Sequence, residues 1–296
     1  MEPVTSIIDL HTHSSYSTDG SYTPAELIAL CEKANVKIVS LTDHNCVRGV
    51  KEMMEAGASK GITVIPGIEI DCVYKGTGLH ITGYNIDMSD PRFYQLEETL
   101  NDQERAASEE RVQLIEKLGI YVNHDKLDKL KSDGIVFGEM IAEACLYEDE
   151  NQNHPLLAPF KPGGALEINP LVNFYWEFCA QGKPAYIPID LPDLCEIIDL
   201  IHDNNGLAVF AHPGNNIHED MQLLQEIMAC GLEGIEAYSS YHNFDQVKFF
   251  RDYADKTNKL VTCGSDFHGR IKPSIKLGKI AYPEVYLQQI KTALGI

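Results

Sequence analysis

The feature that most restricts what this chain can fold into is a repeated ending. Its short apolar runs of β character lead, one after another, into histidine or a carboxylate. SIIDL runs into His11 and His13, VKIVSLTD into His44, ITVIPGI into Glu69, LAVFA into His212, and LVTCGS into Asp266 and His268, while LHITGY carries His80. Helical segments separate the runs. The clearest begins at Thr23, an N-cap followed by Pro24 and by Glu26 of a capping box, after which Leu27, Leu30, Cys31 and Ala34 recur at helical spacing. Strands alternating with helices argue for a parallel sheet of the α/β class. With GIEAY there are seven strand candidates, one short of a closed eightfold barrel, so a distorted or incomplete barrel is expected. In such a barrel the C-terminal strand ends converge, and side chains distant in sequence meet there.

The rhythm breaks over residues 90–188. A long charged helix is expected over 93–118 and a shorter one over 139–146, then a polar, proline-bearing stretch, then LVNFYWEFCAQGKPAYIPI. Barrel connections are normally short, so this stretch reads as an inserted, largely helical lid subdomain, with 1–89 and 189–296 forming the barrel. Helices are expected again over 192–204, 218–230, 244–257 and 285–294.

Composition removes several functions. Asp and Glu outnumber Lys and Arg 44 to 24, a net charge of −20. That surface repels long nucleic acid but leaves room for a small phosphorylated substrate at a locally positive site. No run approaches the ~18 apolar residues of a membrane span, and the first ten residues lack a basic signal-peptide region, so a cytoplasmic protein without a membrane partner is expected. The 8 cysteines form no C-x-x-C pair and read as small buried hydrophobes in a reducing compartment. Phosphate-binding G-x-x-x-x-G-K-[ST] and G-x-G-x-x-G loops are missing, as is the G-x-S-x-G of serine hydrolases. Nothing in the sequence fixes the oligomeric state.

On extended chain, His11-x-His13 and Asp266-x-His268 each place two ligands on one side, and the two oxygens of Glu69 can bridge a pair of ions. Taken in order, DLHTHSSYSTDGSYTP, LTDHN, GIEI, LHITGY, AHPG and GSDFHG resemble the PHP (polymerase and histidinol phosphatase) phosphoesterases over roughly two thirds of the chain. The resemblance implies a distorted (β/α)7 barrel with a centre of two or three divalent ions, Zn, Mn or Fe. It implies a first ion on His11, His13, Glu69 and Asp266, a second on Glu69, His80 and His212, and a third on Asp19, His44 and His268. Members of the histidinol-phosphatase type carry histidine where this chain has Asp19, which points away from histidinol phosphate. The long insertion is similar to that of the branch acting on nucleotides and oligonucleotide ends.

Such ions outweigh the charge of Asp19, Glu69 and Asp266 and lower the pKa of water, so in-line attack by a hydroxide bridging the first two is expected. The candidate catalytic residues are Glu69, Asp266 and His242, the last as leaving-group acid or phosphate contact. Lys183, Lys161, Arg270 and Lys272 are candidate substrate contacts. The leading reading is a metal-dependent phosphomonoesterase acting on a small nucleotide such as a 3′,5′-bisphosphate, or on an oligonucleotide 5′ end. Two alternatives stand beside it. One is a phosphatase or cyclic phosphodiesterase for a phosphorylated sugar or amino alcohol, and the other is a metal-binding module without turnover.

Overall fold

The computed structural model describes residues 4–17, 19–131 and 133–296. Its strands are β1 (Val4–Thr5), β2 (Ile8–Asp9), β3 (Ile38–Leu41), β4 (Thr63–Tyr74), β5 (Thr77–Tyr84), β6 (Leu207–Phe210), β7 (Gly234–Ser239), β8 (Leu260–Gly264) and β9 (Tyr282–Pro283). Strands β2 to β8 form one seven-stranded sheet in sequence order, and β1 pairs with β9 in a separate antiparallel ribbon. At the far edge β8 returns to the segment after β2. There Leu10 N donates to Cys263 O at 3.1 Å, Asp266 N to His11 O at 2.9 Å, and His13 N to Phe267 O at 3.0 Å. The sheet thereby nearly closes into the expected seven-stranded α/β barrel.

One strand departs from expectation. LHITGY (in β5) is antiparallel to both β4 and β6, whereas β2–β3–β4 and β6–β7–β8 run parallel. No helix precedes it. Lys75 (φ 48°) and Gly76 (φ 83°) turn the chain in two left-handed residues, a geometry suited to a tight hairpin. As a result Glu69 and His80 lie within paired strands instead of at strand ends.

The helices begin and end where local chemistry directs. Thr23 accepts from Glu26 N while the Glu26 side chain returns to the Thr23 backbone, and Asn35 closes the helix Pro24–Ala34 in the left-handed region. Caps of this kind contribute about 1 kcal/mol each. Leu27, Ile28 and Cys31 bury the inner face of that helix, which packs on helix Val50–Lys60. Helix Met221–Met228 starts three residues later than expected because Asp220 supplies its cap.

Residues 97–190, joined by 269–274, form a second compact unit with its own core, including Ile115, Ile141, Leu157, Phe160 and Phe174. It contains most of the long helix Pro91–Lys117, the helices His124–Leu130, Gly138–Cys145 and Pro170–Phe174, and a π-helical turn over Tyr175–Cys179. The 8 cysteines are unbridged and 6 are buried, but Cys195 is exposed. Among the described residues no helix is long and apolar enough to cross a membrane.

Candidate metal centre

Thr12 bridges in parallel to Phe267, so the chain around it is extended and sends the His11 and His13 rings to the same side. Nε2 of His11 lies 3.1 Å from Glu69 Oε2 and 3.3 Å from Asp266 Oδ1. Nε2 of His13 lies 3.2 Å and 2.9 Å from the same two oxygens. All four residues are buried. The other oxygen of Glu69 faces a second set, with His80 Nδ1 and His212 Nε2 each 3.0 Å from Oε1. A third group gathers at Asp19, whose Oδ2 is 2.9 Å from His268 Nε2 and 3.8 Å from His44 Nε2, with His13 alongside. The structure therefore brings all nine expected ligands into one continuous cluster.

Whether such a cluster suits cations is decided by its contacts. The Nε2 atoms of His11 and His13 and Oε2 of Glu69 are buried, yet none makes a hydrogen bond. Buried polar atoms are rarely left so. Ligand atoms ~2.0–2.2 Å from a shared ion stand ~3.0–3.5 Å apart around it, which matches the separations above. The donor set of imidazoles and carboxylates suits Zn²⁺, Mn²⁺ or Fe²⁺. The residues fit a divalent centre.

Electrostatics bind the cluster in the same sense. Burial pushes the Glu69 carboxyl up, but His11, His44 and His80 overcome this and hold it well below the usual carboxylate range. Burial likewise pushes His11 down, and Glu69, Glu236 and Asp266 reverse the effect and raise it well above normal. Two residues of the cluster also sit in strained backbone: His212 has φ 26° and Asp266 φ 55°, where non-glycine residues lose roughly 1–2 kcal/mol. Strain kept at both positions aims their side chains at the cluster.

Comparison with protein-family models matches residues 9–153 to the PHP domain. The chain carries a PHP domain over those residues. Its relatives include a 5′-3′ exoribonuclease of Haemophilus influenzae, 28% identical over 88% of this chain and 89% of that one. A 3′,5′-nucleoside bisphosphate phosphatase of Chromobacterium violaceum is also 28% identical, over 88% and 87%. A solved structure from Bifidobacterium adolescentis, described as a metal-dependent phosphoesterase, has the same fold, with TM-score 0.75 and 24% identity over 99% of this chain and 98% of that one. This PHP protein is a metal-dependent phosphoesterase.

Outside the ligand set, the remaining sequence candidates of the PHP chain fare differently. His242 lies three residues beyond β7, but both its ring nitrogens are taken by backbone. Nδ1 donates to Ala237 O at 2.9 Å and Nε2 accepts from Gly214 N at 3.0 Å. Stacked on Phe250, the ring fastens β7 to the turn after His212 and has no nitrogen left for a phosphate or a leaving group, which corrects the expected role. Lys161 is likewise committed, its ammonium donating to Asn151 O at 2.5 Å and Gln152 O at 2.9 Å. Lys183 pairs with Glu177 at 3.2 Å on an exposed surface. Arg270 and Lys272 lie in the segment that follows His268, which is held to Asn169 through Ser274.

Three neighbours of the centre escaped the sequence reading. Glu236, buried in β7, places Oε2 2.7 Å from His11 Nδ1. Tyr241 donates its hydroxyl to Asp266 Oδ2. Asp71 stands beside His44 and His80. A charged residue inside the apolar run GIEAY, and an acid two positions beyond Glu69 on a strand, were the available signals for Glu236 and Asp71.

Proposed function

We propose that this PHP protein hydrolyses the phosphate monoester of a small nucleotide, such as a nucleoside 3′,5′-bisphosphate, or of an oligonucleotide 5′ end. The observation that carries the reading is Glu69, whose two carboxylate oxygens face two separate sets of imidazoles. That is the donor arrangement for neighbouring cations, and phosphoryl transfer is the chemistry that most needs paired positive charge. When bound, the cations supply Lewis acidity toward phosphate oxygens and raise the acidity of water. The relatives named as bisphosphate phosphatase and exoribonuclease support a nucleotide as the esterified group.

The chain's own residues do the positioning. His11, His13, Glu69 and Asp266 would hold one ion, Glu69, His80 and His212 a second, and Asp19, His44 and His268 a third. Glu236 fixes the tautomer of His11 by accepting from Nδ1, leaving the Nε2 lone pair directed inward. The backbone carbonyl of Asp266 does the same for His268 Nδ1, at 2.8 Å. Arg270 and Lys272 are the proposed phosphate contacts, one and three residues beyond Gly269 in the chain. The net charge of −20 disfavours a long duplex and favours a small substrate or a free 5′ end.

The test is a panel of adenosine 3′,5′-bisphosphate, a short 5′-phosphorylated RNA and a sugar phosphate, scored for inorganic phosphate. Release from either nucleotide substrate, abolished by chelator and restored by Mn²⁺, is expected. Turnover of the sugar phosphate alone would overturn the nucleotide assignment.

A further inference from the structure

We infer that Asp71 is a positioning residue of the metal centre, a single carboxylate oxygen that orients two ligand histidines belonging to two different cation positions. The inference rests on the metal-centre reading above. Side chains two residues apart on a strand share a face, so Asp71 follows Glu69 on the same side of β4. In the β4–β5 hairpin, Asp71 is the register partner of His80, and directly opposed side chains lie within reach of one another. From the other side, β4 receives His44, which bridges in parallel to Glu69.

These three constraints converge on one atom. Oδ1 of Asp71 is 3.3 Å from Nδ1 of His44 and 3.3 Å from Nε2 of His80. For His80 this is the nitrogen its ring does not present to the proposed ion, since Nδ1 turns to Glu69 Oε1. His44 turns Nε2 to Asp19, while its Nδ1 stands between Asp71 Oδ1 and Glu69 Oε2, the latter at 3.4 Å. A histidine that ligates through one nitrogen needs an acceptor for the other, and a carboxylate there fixes the ring and strengthens the ligand. The remaining atoms of Asp71 are already held. Asn45 Nδ2 donates to its Oδ2 at 2.7 Å, and its own N–H donates to Asn45 Oδ1 at 3.0 Å. Asn45 adopts φ 54°, a left-handed conformation that asparagine tolerates and that lets its side chain face Asp71 across from β4. Oδ1, buried and without a hydrogen bond, is thus aimed between the two rings.

A consequence separates this role from a general structural one. Losing Asp71 should loosen the positions that use His80 and His44 and spare the one built from His11, His13, Glu69 and Asp266. Mn²⁺ binding to wild type, Asp71→Ala and Asp71→Glu is measured by equilibrium dialysis with elemental analysis, alongside thermal unfolding in chelator. Asp71→Ala should keep one tight site, weaken Mn²⁺ at the others by about 10–100-fold, and unfold near the wild-type temperature in chelator. Asp71→Glu, which restores the charge, should recover part of the loss. Undiminished Mn²⁺ binding by Asp71→Ala overturns the inference, as does uniform weakening of every site. A wild-type protein that binds no Mn²⁺, Zn²⁺ or Fe²⁺ would overturn the metal-centre reading instead.

Discussion

Oε2 of Glu236 lies 2.7 Å from Nδ1 of His11, and both side chains are wholly buried. A buried carboxylate needs a partner, and here the partner is a ring whose other nitrogen faces Glu69 and Asp266. The pair links the interior of β7 to the first proposed cation position, although neither residue is near the other in sequence. Glu236→Gln preserves shape but removes the charge that strengthens His11 as a donor. Cation affinity should fall about 10–100-fold, with kcat falling at subsaturating Mn²⁺ and recovering as Mn²⁺ is raised. Isothermal titration with Mn²⁺ reads this directly. An unchanged dissociation constant would assign Glu236 to packing alone.

Tyr241 holds the opposite end of the same position. Its hydroxyl donates to Asp266 Oδ2, so Oδ1 remains directed at His11 and His13. Hydrogen bonds to charged groups contribute about 1.5–3 kcal/mol. Tyr241→Phe should therefore weaken Mn²⁺ binding by roughly tenfold or more while leaving the ring's edge contact with His212 available. A variant that binds Mn²⁺ normally but turns over slowly would instead place the phenol on the substrate.

The metal-free protein should respond to pH in the opposite direction from the loaded one. Despite burial, Glu69, Asp71 and Asp19 raise His44 well above its ordinary value, and Glu69 with its neighbours does the same for His11. A raised histidine adds stability that is full below about 6.5 and is lost as pH climbs through the folded value. Glu69, held low, adds stability that disappears only in strong acid. His13, pushed down by burial and by His268, works against the histidine effect and narrows it. In chelator, the unfolding temperature should drop from mildly acid to alkaline pH. With Mn²⁺ present the stabilisation by metal should grow over the same interval, because protons no longer compete for the imidazoles. Thermal unfolding in parallel pH series checks both slopes, and parallel curves would contradict the account.

Much of the cluster was legible in the sequence because most of its residues follow strand ends or fall in two-residue repeats, where local pattern fixes direction. His11 and His13, or Asp266 and His268, need only extended chain to share a side. The hairpin was harder to see. Lys75-Gly76 between two alternating runs is a turn signal, but helix-linked strands on both sides suggested a parallel partner, and β5 proved antiparallel. Asp71 was missed with it, since its significance depends on register with His80. Glu236 and Tyr241 act across the barrel on His11 and Asp266, and no sequence spacing encodes those contacts. His242 was misread because a histidine at a strand end looks the same whether its nitrogens face a ligand or the backbone.

Arg270 and Lys161 provide a contrast between binding and support. If Arg270 meets the substrate phosphate, Arg270→Ala should raise KM by about tenfold and leave kcat nearly unchanged, the signature of uniform binding. Lys161 is tied to the carbonyls of Asn151 and Gln152. Lys161→Ala should therefore lower the unfolding temperature and leave KM alone. Steady-state kinetics beside thermal unfolding distinguish the two, and a kcat effect without a KM effect at Arg270 would refute its assignment.

His242 offers the sharpest separation of structure from catalysis. Its two nitrogens satisfy Ala237 O and Gly214 N, and burial holds the ring below its ordinary pKa, in the neutral form those contacts require. His242→Phe keeps a ring against Phe250 but strands both backbone groups, each at a cost of about 1–3 kcal/mol where water cannot reach them. At roughly 2–4 °C per kcal/mol for a chain of this order of size, the unfolding temperature should fall by roughly 5 °C or more. Removing a general acid lowers kcat by about 10²–10⁴. For His242→Phe assayed well below its unfolding temperature, kcat should stay within a few-fold of wild type. A hundredfold loss of kcat with unchanged thermal stability would return the imidazole to the reaction, and would mean that Gly214 N and Ala237 O release it when substrate binds.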